Sequence, residues 1–121
     1  MPSAPRILAL NYNRRNLEVL GQFLAKAGFE PLPTQTLEDV DKILASGVEV
    51  RLALLDLAGF DSRLWERCDR LRQRGIPFFV ISPGPGAETQ QARLKSGAAS
   101  VLVKPLSAQA LLTLIKTLVK P

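Results

Sequence analysis

Four apolar runs of this sequence end in polar residues. Asp56 follows Arg51–Leu55, Ser82 follows Phe78–Ile81, and Lys104, with Pro105 behind it, follows Val101–Val103. The fourth run, Arg6–Leu10, ends in Asn11, Tyr12 and Asn13. A carboxylate, a hydroxyl and an ammonium brought together can hold an anion or a phosphoryl group. Asp56 would be the nucleophile, Ser82 a hydrogen-bond donor and Lys104 a positive clamp. The chain has no histidine, so the usual general base and commonest metal ligand are missing. Each residue also has a purely structural reading. Asp56 and Lys104 can form a retained ion pair, Ser82 can satisfy a local backbone group, and Asn13 can cap a helix.

Whether these groups meet depends on the elements that carry them. Leu17, Leu20, Phe23, Leu24 and Ala27 recur at intervals of three and four, which predicts an amphipathic helix over Arg15–Ala27, stopped by Gly28. Glu30–Pro33 reads as a short second strand, and its two prolines place it at an edge. Thr36 opens a second helix with Asp39 three residues on, close to a capping box. Leu37, Val40, Ile43 and Leu44 form its inner face. Arg51–Leu55 is nearly all apolar, as a parallel strand covered on both faces must be. A third helix is expected from about Ser62, turning Leu64, Trp65, Cys68 and Leu71 inward. Phe78–Ile81 is a fourth strand and Ser82–Gly86 a turn-rich loop. Ala87–Ser96 reads as a polar fourth helix and Val101–Val103 as a fifth strand. Ser107 can cap a fifth helix whose stripe is Ala108, Leu111, Leu112, Ile115 and Leu118.

Strands that alternate with helices predict an α/β fold with a parallel sheet and helices on both faces. Ligands of such sheets bind beyond the carboxyl ends of the strands, which is where Asp56, Ser82 and Lys104 fall. No repeat, linker or low-complexity segment interrupts residues 1–121, which read as one domain. Hydrophobic and charged fractions of 46% and 22% are those of an ordinary globular chain. The lone Cys68 permits no internal disulfide, and neither a signal peptide nor a membrane span is evident, so the cytoplasm is expected. The net charge of +5 is concentrated in Arg14 and Arg15, in Arg63, Arg67, Arg70, Arg72 and Arg74, and in C-terminal lysines. Without interleaved aromatics this is no nucleic-acid platform. It reads as a solvated helix face or as the footprint of an acidic or anionic partner. Cys68 and Trp65 read as packing residues, and Gly84-Pro85-Gly86 lacks the spacing of a phosphate-binding loop.

The segments Leu54-Leu55-Asp56, Ile81-Ser82 and Gly97-Ala98-Ala99-Ser100-Val101-Leu102-Val103-Lys104-Pro105 resemble the signature of response-regulator receiver domains over essentially the whole chain. The resemblance implies a doubly wound five-stranded sheet of order 2-1-3-4-5, a flavodoxin-like or CheY-like (βα)5 fold. Asp56 would sit at the phospho-acceptor position, Ser82 at the switch hydroxyl, and Lys104 at the family's lysine, joined to Pro105 by a cis peptide. It also implies an output surface on the fourth and fifth helices and fifth strand, which pairs some receivers as homodimers. Partners would be a histidine kinase, an output domain or another signalling protein, with no membrane or nucleic acid bound by the domain itself.

The departures from the family pattern point away from phosphate chemistry. Receivers hold Mg²⁺ with an acidic pair after the first strand, where this chain has Asn11 and Tyr12. Asp56 alone offers one carboxylate, so Mg²⁺ is expected to bind weakly if at all, and no other cofactor is implied. Tyr12 is bulky enough to intrude on the cavity. Pro83 follows Ser82 where a small residue is usual, and Val101 stands where a switch aromatic is often found. The leading expectation is a pseudo-receiver, not an enzyme, that signals by phosphorylation-independent protein–protein interaction. The alternatives are a receiver still phosphorylated on Asp56, as in a phosphorelay, and a flavodoxin-like binder of a nucleotide or small anion.

Overall fold

A computed structural model of the chain describes residues 4–82, 100–103 and 107–119. Among the described residues nine elements follow one another: β1 (Arg6–Leu10), α1 (Arg14–Lys26), β2 (Glu30–Thr34), α2 (Leu37–Ala45), β3 (Leu52–Asp56), α3 (Leu64–Gln73), β4 (Phe78–Ser82), β5 (Ser100–Val103) and α4 (Ala108–Leu118). The helix expected over Ala87–Ser96 lies outside the described residues, as do Pro83, Lys104 and Pro105. Helix α4 is therefore the one that the sequence reads as fifth. The strands are parallel and ordered β2-β1-β3-β4-β5.

Strand alternation sorts the apolar side chains into two cores, one on each face of the sheet. Leu8, Leu10, Ala53, Leu55, Phe78 and Val80 face α2 and α3, where they meet Val40, Leu44, Leu64, Cys68 and Leu71. Their neighbours Ile7, Leu52, Leu54, Phe79 and Ile81 face α1 and α4, where they meet Leu24, Leu111 and Ile115. Every residue of β3 and β4 is buried. A strand covered on both faces has no polar side to alternate with, which is why these segments read as unbroken apolar runs.

The helix starts are set by local chemistry. The Asn13 side chain accepts from the Asn16 N–H at 3.0 Å and caps α1. Thr36 and Asp39 form a complete capping box at α2, and Ser107 caps α4. Helix α3 begins two residues later than expected, at Leu64, because Asp61 accepts from the Arg63 N–H at 2.9 Å and bends the chain there first. The stripe of α4 also differs from expectation. Leu111, Ile115 and Val119 are buried at a spacing of four, whereas Ala108 is exposed and Leu118 is 44% exposed.

Strand β2 is an edge. The Glu30 N–H donates to Pro5 and the Thr34 carbonyl accepts from the Asn11 N–H, so alternate residues of β2 turn towards β1. Pro31 and Pro33 turn the other way, towards the open side.

Candidate functional site

The carboxyl ends of β1, β3 and β4 bring Asn11, Asp56 and Ser82 to one edge of the sheet. Asp56 and Ser82 close neighbouring strands, in register one residue apart, and both are buried, with Asp56 only 3% exposed. The Asp56 carboxylate accepts the Ala58 backbone N–H at Oδ1 (2.9 Å) and the Asn11 side-chain amide at Oδ2 (3.2 Å).

The orientation of Asn11 follows from its neighbours. Its Oδ1 accepts the Asn13 N–H at 2.8 Å, so its Nδ2 is the end left to face Asp56. Asn11 continues the parity of Ile7 and Ala9, the same side of the sheet to which Asp56 continues Leu52 and Leu54. Asn13 takes the cap of α1 and is turned to the helix.

Tyr12 does not intrude on the Asp56 cavity. One residue beyond Asn11, it leaves the sheet towards the opposite face. Its side chain is 67% exposed, lies over Gly59, and meets the Phe60 ring edge-on at a centroid distance of 6.5 Å. A Cβ on Gly59 would come within 2.9 Å of the tyrosine Cγ, and Gly59 has φ +86°, so both contact and conformation call for glycine. Gln35 Nε2 donates to the Tyr12 carbonyl at 3.4 Å, tying the first loop to the start of α2.

Among the described residues, this corner offers a divalent cation one carboxylate, Asp56. Mg²⁺ needs carboxylate, phosphate or water oxygens in near-octahedral array. A cation between Asn11 and Asp56 would meet the positive end of the Asn11 N–H dipole, because the amide oxygen is already committed to Asn13. No group of three carboxylate, thiol or imidazole side chains close enough to hold a metal occurs among the described residues.

The arginines of α3 are not simply a solvated face. Arg67 is buried, and its guanidinium grips Asp41 of α2 through Nη2–Oδ2 (2.7 Å) and Nε–Oδ1 (3.2 Å). Arg70 adds a contact to Asp41 Oδ1 at 2.6 Å, and Arg67 Nη1 donates to the Arg63 carbonyl at 3.3 Å. Arg72 pairs with Asp69, and Arg63 pairs with Asp61 at 3.0 Å. Hydrogen bonds from Arg63 hold the Asp61 carboxyl below its ordinary range. Nothing in the spacing marks Asp41 as the partner of Arg67, since they lie 26 residues apart. Cys68 is wholly buried on the same helix, and burial pushes its thiol up to about 12, which keeps it a protonated packing group.

No protein-family model matches the chain, and no curated protein matches it. Solved structures do. An orphan response regulator of H. pylori superposes with a TM-score of 0.77 at 23% identity, covering 96% of this chain and 98% of that one. A two-component response regulator from Clostridium difficile gives 0.82 at 22% identity, with 94% of each chain covered. A CheY-like receiver domain protein from Methanospirillum hungatei gives 0.79 at 24% identity, covering 95% and 93%. The fold is that of a response-regulator receiver. At these identities the likeness is one of fold, and it carries the α/β alternation and the parallel sheet with it. No helix among the described residues is long and apolar enough to cross a membrane.

Proposed function

We propose that this chain is a signal-transduction module of two-component type, one domain over residues 1–121, that works by phosphorylation-independent binding of another protein. The observation that carries the reading is the amide of Asn11, which donates to Asp56 Oδ2 at 3.2 Å where phosphate chemistry calls for a metal-holding carboxylate. Phosphoryl transfer is catalysed almost entirely by positioning and by neutralising the charge on the transferred group. The Asp56 corner supplies an acceptor carboxylate without a seat for the divalent counter-charge. Among the described residues, Asp56 accepts from two neutral donors, the Asn11 amide and the Ala58 N–H.

The receiver fold supports the signalling role, and the solved structures that share it are response regulators, one of them an orphan. The partners that fit are a histidine kinase, an output domain or another signalling protein. The lone, buried Cys68 is in keeping with a cytoplasmic setting. The alternative reading, phosphorylation on Asp56, draws its support from the buried placement of Asp56 and Ser82 at adjacent strand ends.

The deciding experiment adds Mg²⁺ and beryllofluoride to the protein and records amide spectra. The expected result is no saturable shift at Asp56, Ser82 or Lys104. Large shifts there, abolished by Asp56→Asn, would overturn the reading in favour of a working phospho-acceptor.

A further inference from the structure

Helix α1 carries a glycine that its surroundings do not ask for. Gly21 lies in the helix interior, where glycine is the least favourable residue after proline. Positive φ occurs at Gly28, Gly47, Gly59 and Gly75, and not at Gly21. Among the described residues, a Cβ built on Gly21 would meet Pro31, at 3.7 Å from its Cγ and 3.8 Å from its Cβ, which is ordinary van der Waals contact. Gly59, where a Cβ would come within 2.9 Å of Tyr12, is the opposite case. Alanine would fit at Gly21 and would strengthen the helix.

What the missing methyl group leaves is space. Gly21 lines a groove of about 360 Å³ between α1 and the β2 edge, with Leu17 one helical turn before it and Pro31 and Pro33 opposite. The two prolines take alternate positions on β2, so their rings share a face and stand roughly 7 Å apart. Proline rings set against a bare stretch of helix backbone make a flat apolar slot. Its walls are rich in acceptors, with the carboxylates of Glu18 and Asp39 and the side-chain amides of Gln22 and Gln35. Arg14, the cation of the lining, pairs with Glu18 at 3.5 Å, and Gln35 Nε2 donates to the Tyr12 carbonyl at 3.4 Å. Asp39 takes the Gln35 and Thr36 N–H groups on Oδ2, and a carboxylate has room for further donors.

From the unforced glycine and the acceptor-lined slot beside it we infer that the α1–β2 groove receives a tryptophan side chain of a partner protein. The indole would enter between Gly21 and the rings of Pro31 and Pro33, with its N–H directed at Asp39. Proline rings and aromatic faces are complementary surfaces. Polyproline recognition uses that pair with the prolines on the ligand, and here they belong to the receptor. The indole nitrogen is a donor only, which suits walls rich in acceptors, and tryptophan leads the residue types that anchor interfaces. Gln22 and Pro33 are exposed, so the groove is open along its length. A free ring would keep one edge in water there, whereas a ring carried on a chain is covered by that chain. A second copy of this chain is a poor occupant, because its one tryptophan, Trp65, is packed against the α2–α3 core. The inference rests on the reading of the chain as a protein-binding module and names the side chain that it binds.

The test uses the whole chain and a capped pentapeptide of glycine and serine with tryptophan at its centre. Control peptides carry leucine there, or tryptophan methylated on the indole nitrogen, and free indole is a further probe. Saturable amide shifts at Gly21, Gln22 and Gln35 are expected with the tryptophan peptide at millimolar concentration. The leucine peptide should give none, and the methylated peptide and free indole should bind several-fold more weakly. Gly21→Ala should raise the melting temperature and weaken the tryptophan peptide by roughly tenfold or more. A glycine kept for packing within the chain would instead lower the melting temperature on that substitution. No saturable binding, shifts confined to another surface, or equal binding of any control probe would overturn the inference. So would a Gly21→Ala protein that melts lower than wild type or binds the peptide as wild type does. The beryllofluoride response is read in the same samples. If it stays silent while the peptide fails to bind, the groove assignment falls and the phosphorylation-independent reading stands. If it responds while the peptide binds, that reading falls and the groove assignment stands.

Discussion

The two sides of the sheet have nearly the same apolar design, and their described residues differ in how charge is placed. Among the described residues, each has a pair of helices over a set of alternating strand residues, and each core holds several side chains with no exposure at all. On the α2–α3 side the cations are drawn in against carboxylates, to the point of burying Arg67 against Asp41. On the α1–α4 side Arg14, Arg15, Lys26 and Lys116 stay at the surface, and the polar corner reached from that side sets a neutral amide against Asp56. A matched flank of this kind contributes mostly to holding helices in place. The other flank keeps Gly21 beside an open groove and offers a surface to something outside the chain. Asp41 is held by two guanidinium groups, and Asp56 accepts the Asn11 amide and the Ala58 N–H.

The comparison can be broken from the matched side first. Arg67→Met should destabilise the fold by roughly 2 kcal/mol in urea denaturation. That is less than the ~3–5 kcal/mol for orphaning a fully buried charge, because Arg70 still reaches Asp41 and that carboxylate is partly in water. A loss below about 0.5 kcal/mol would class Arg67 with ordinary surface arginines. On the other side, Asn11→Asp sets two carboxylates side by side and should cost about 1–2 kcal/mol at neutral pH. Millimolar Mg²⁺ should restore most of that loss in the variant and leave the wild-type melting temperature unchanged. If wild type and variant respond alike to Mg²⁺, the amide of Asn11 is not what excludes the cation.

The caps give a finer version of the contrast. Asn13→Ala should cost about 1 kcal/mol at every pH, since the cap of α1 carries no ionisable group. Asp39, in the cap of α2, has its carboxyl lowered by the backbone N–H of Gln35, with further bonds from Thr36 and the charge of Lys42. A lowered folded-state value means stability that is present above the ordinary aspartate range and lost as pH falls through the folded value. Asp39→Asn should therefore lower the melting temperature slightly at pH 7, and the difference should begin to shrink near about pH 4 and vanish only below the folded value. The carboxylate is largely in solvent, so screening keeps this effect under about 1 kcal/mol. The smallest expected effect is at Cys68, whose buried thiol should ignore aromatic disulfide reagents until the protein unfolds.

Local features of the sequence were readable because their physics is local. The Thr36–Asp39 box, the Asn13 cap and the stop at Gly28 each depend on residues within one turn of one another. The unbroken apolar runs of β3 and β4 announce burial on both faces, and the alternation of runs and amphipathic stretches announces the parallel sheet. Arg67 was not readable as a buried residue, because its partner Asp41 is brought to it only when α2 and α3 pack. The end of the α4 stripe was misjudged by one residue. Packing follows the spacing of four from Leu111 to Ile115 to Val119, and the step of three to Leu118 leads off the core. Tyr12 could have been placed from parity alone, by carrying the alternation of β1 two residues past its end. At the strand-end site the sequence supplied the residue types, and only the bond from Asn13 to Asn11 Oδ1 told which end of the amide confronts Asp56.

The paired prolines of β2 bear on how such a module can meet other chains at all. Glu30 and Thr34 spend their backbone groups on β1 and its continuation, and the residues turned outward, Pro31 and Pro33, have no N–H to give. A foreign strand approaching this border would find carbonyl acceptors without the alternating donors that a ladder requires. Stacking of copies into fibrils and capture of a partner's extended tail are both disfavoured there, so the border is sterile towards backbone recognition. Whatever this chain associates with on that flank must be chosen by side chains.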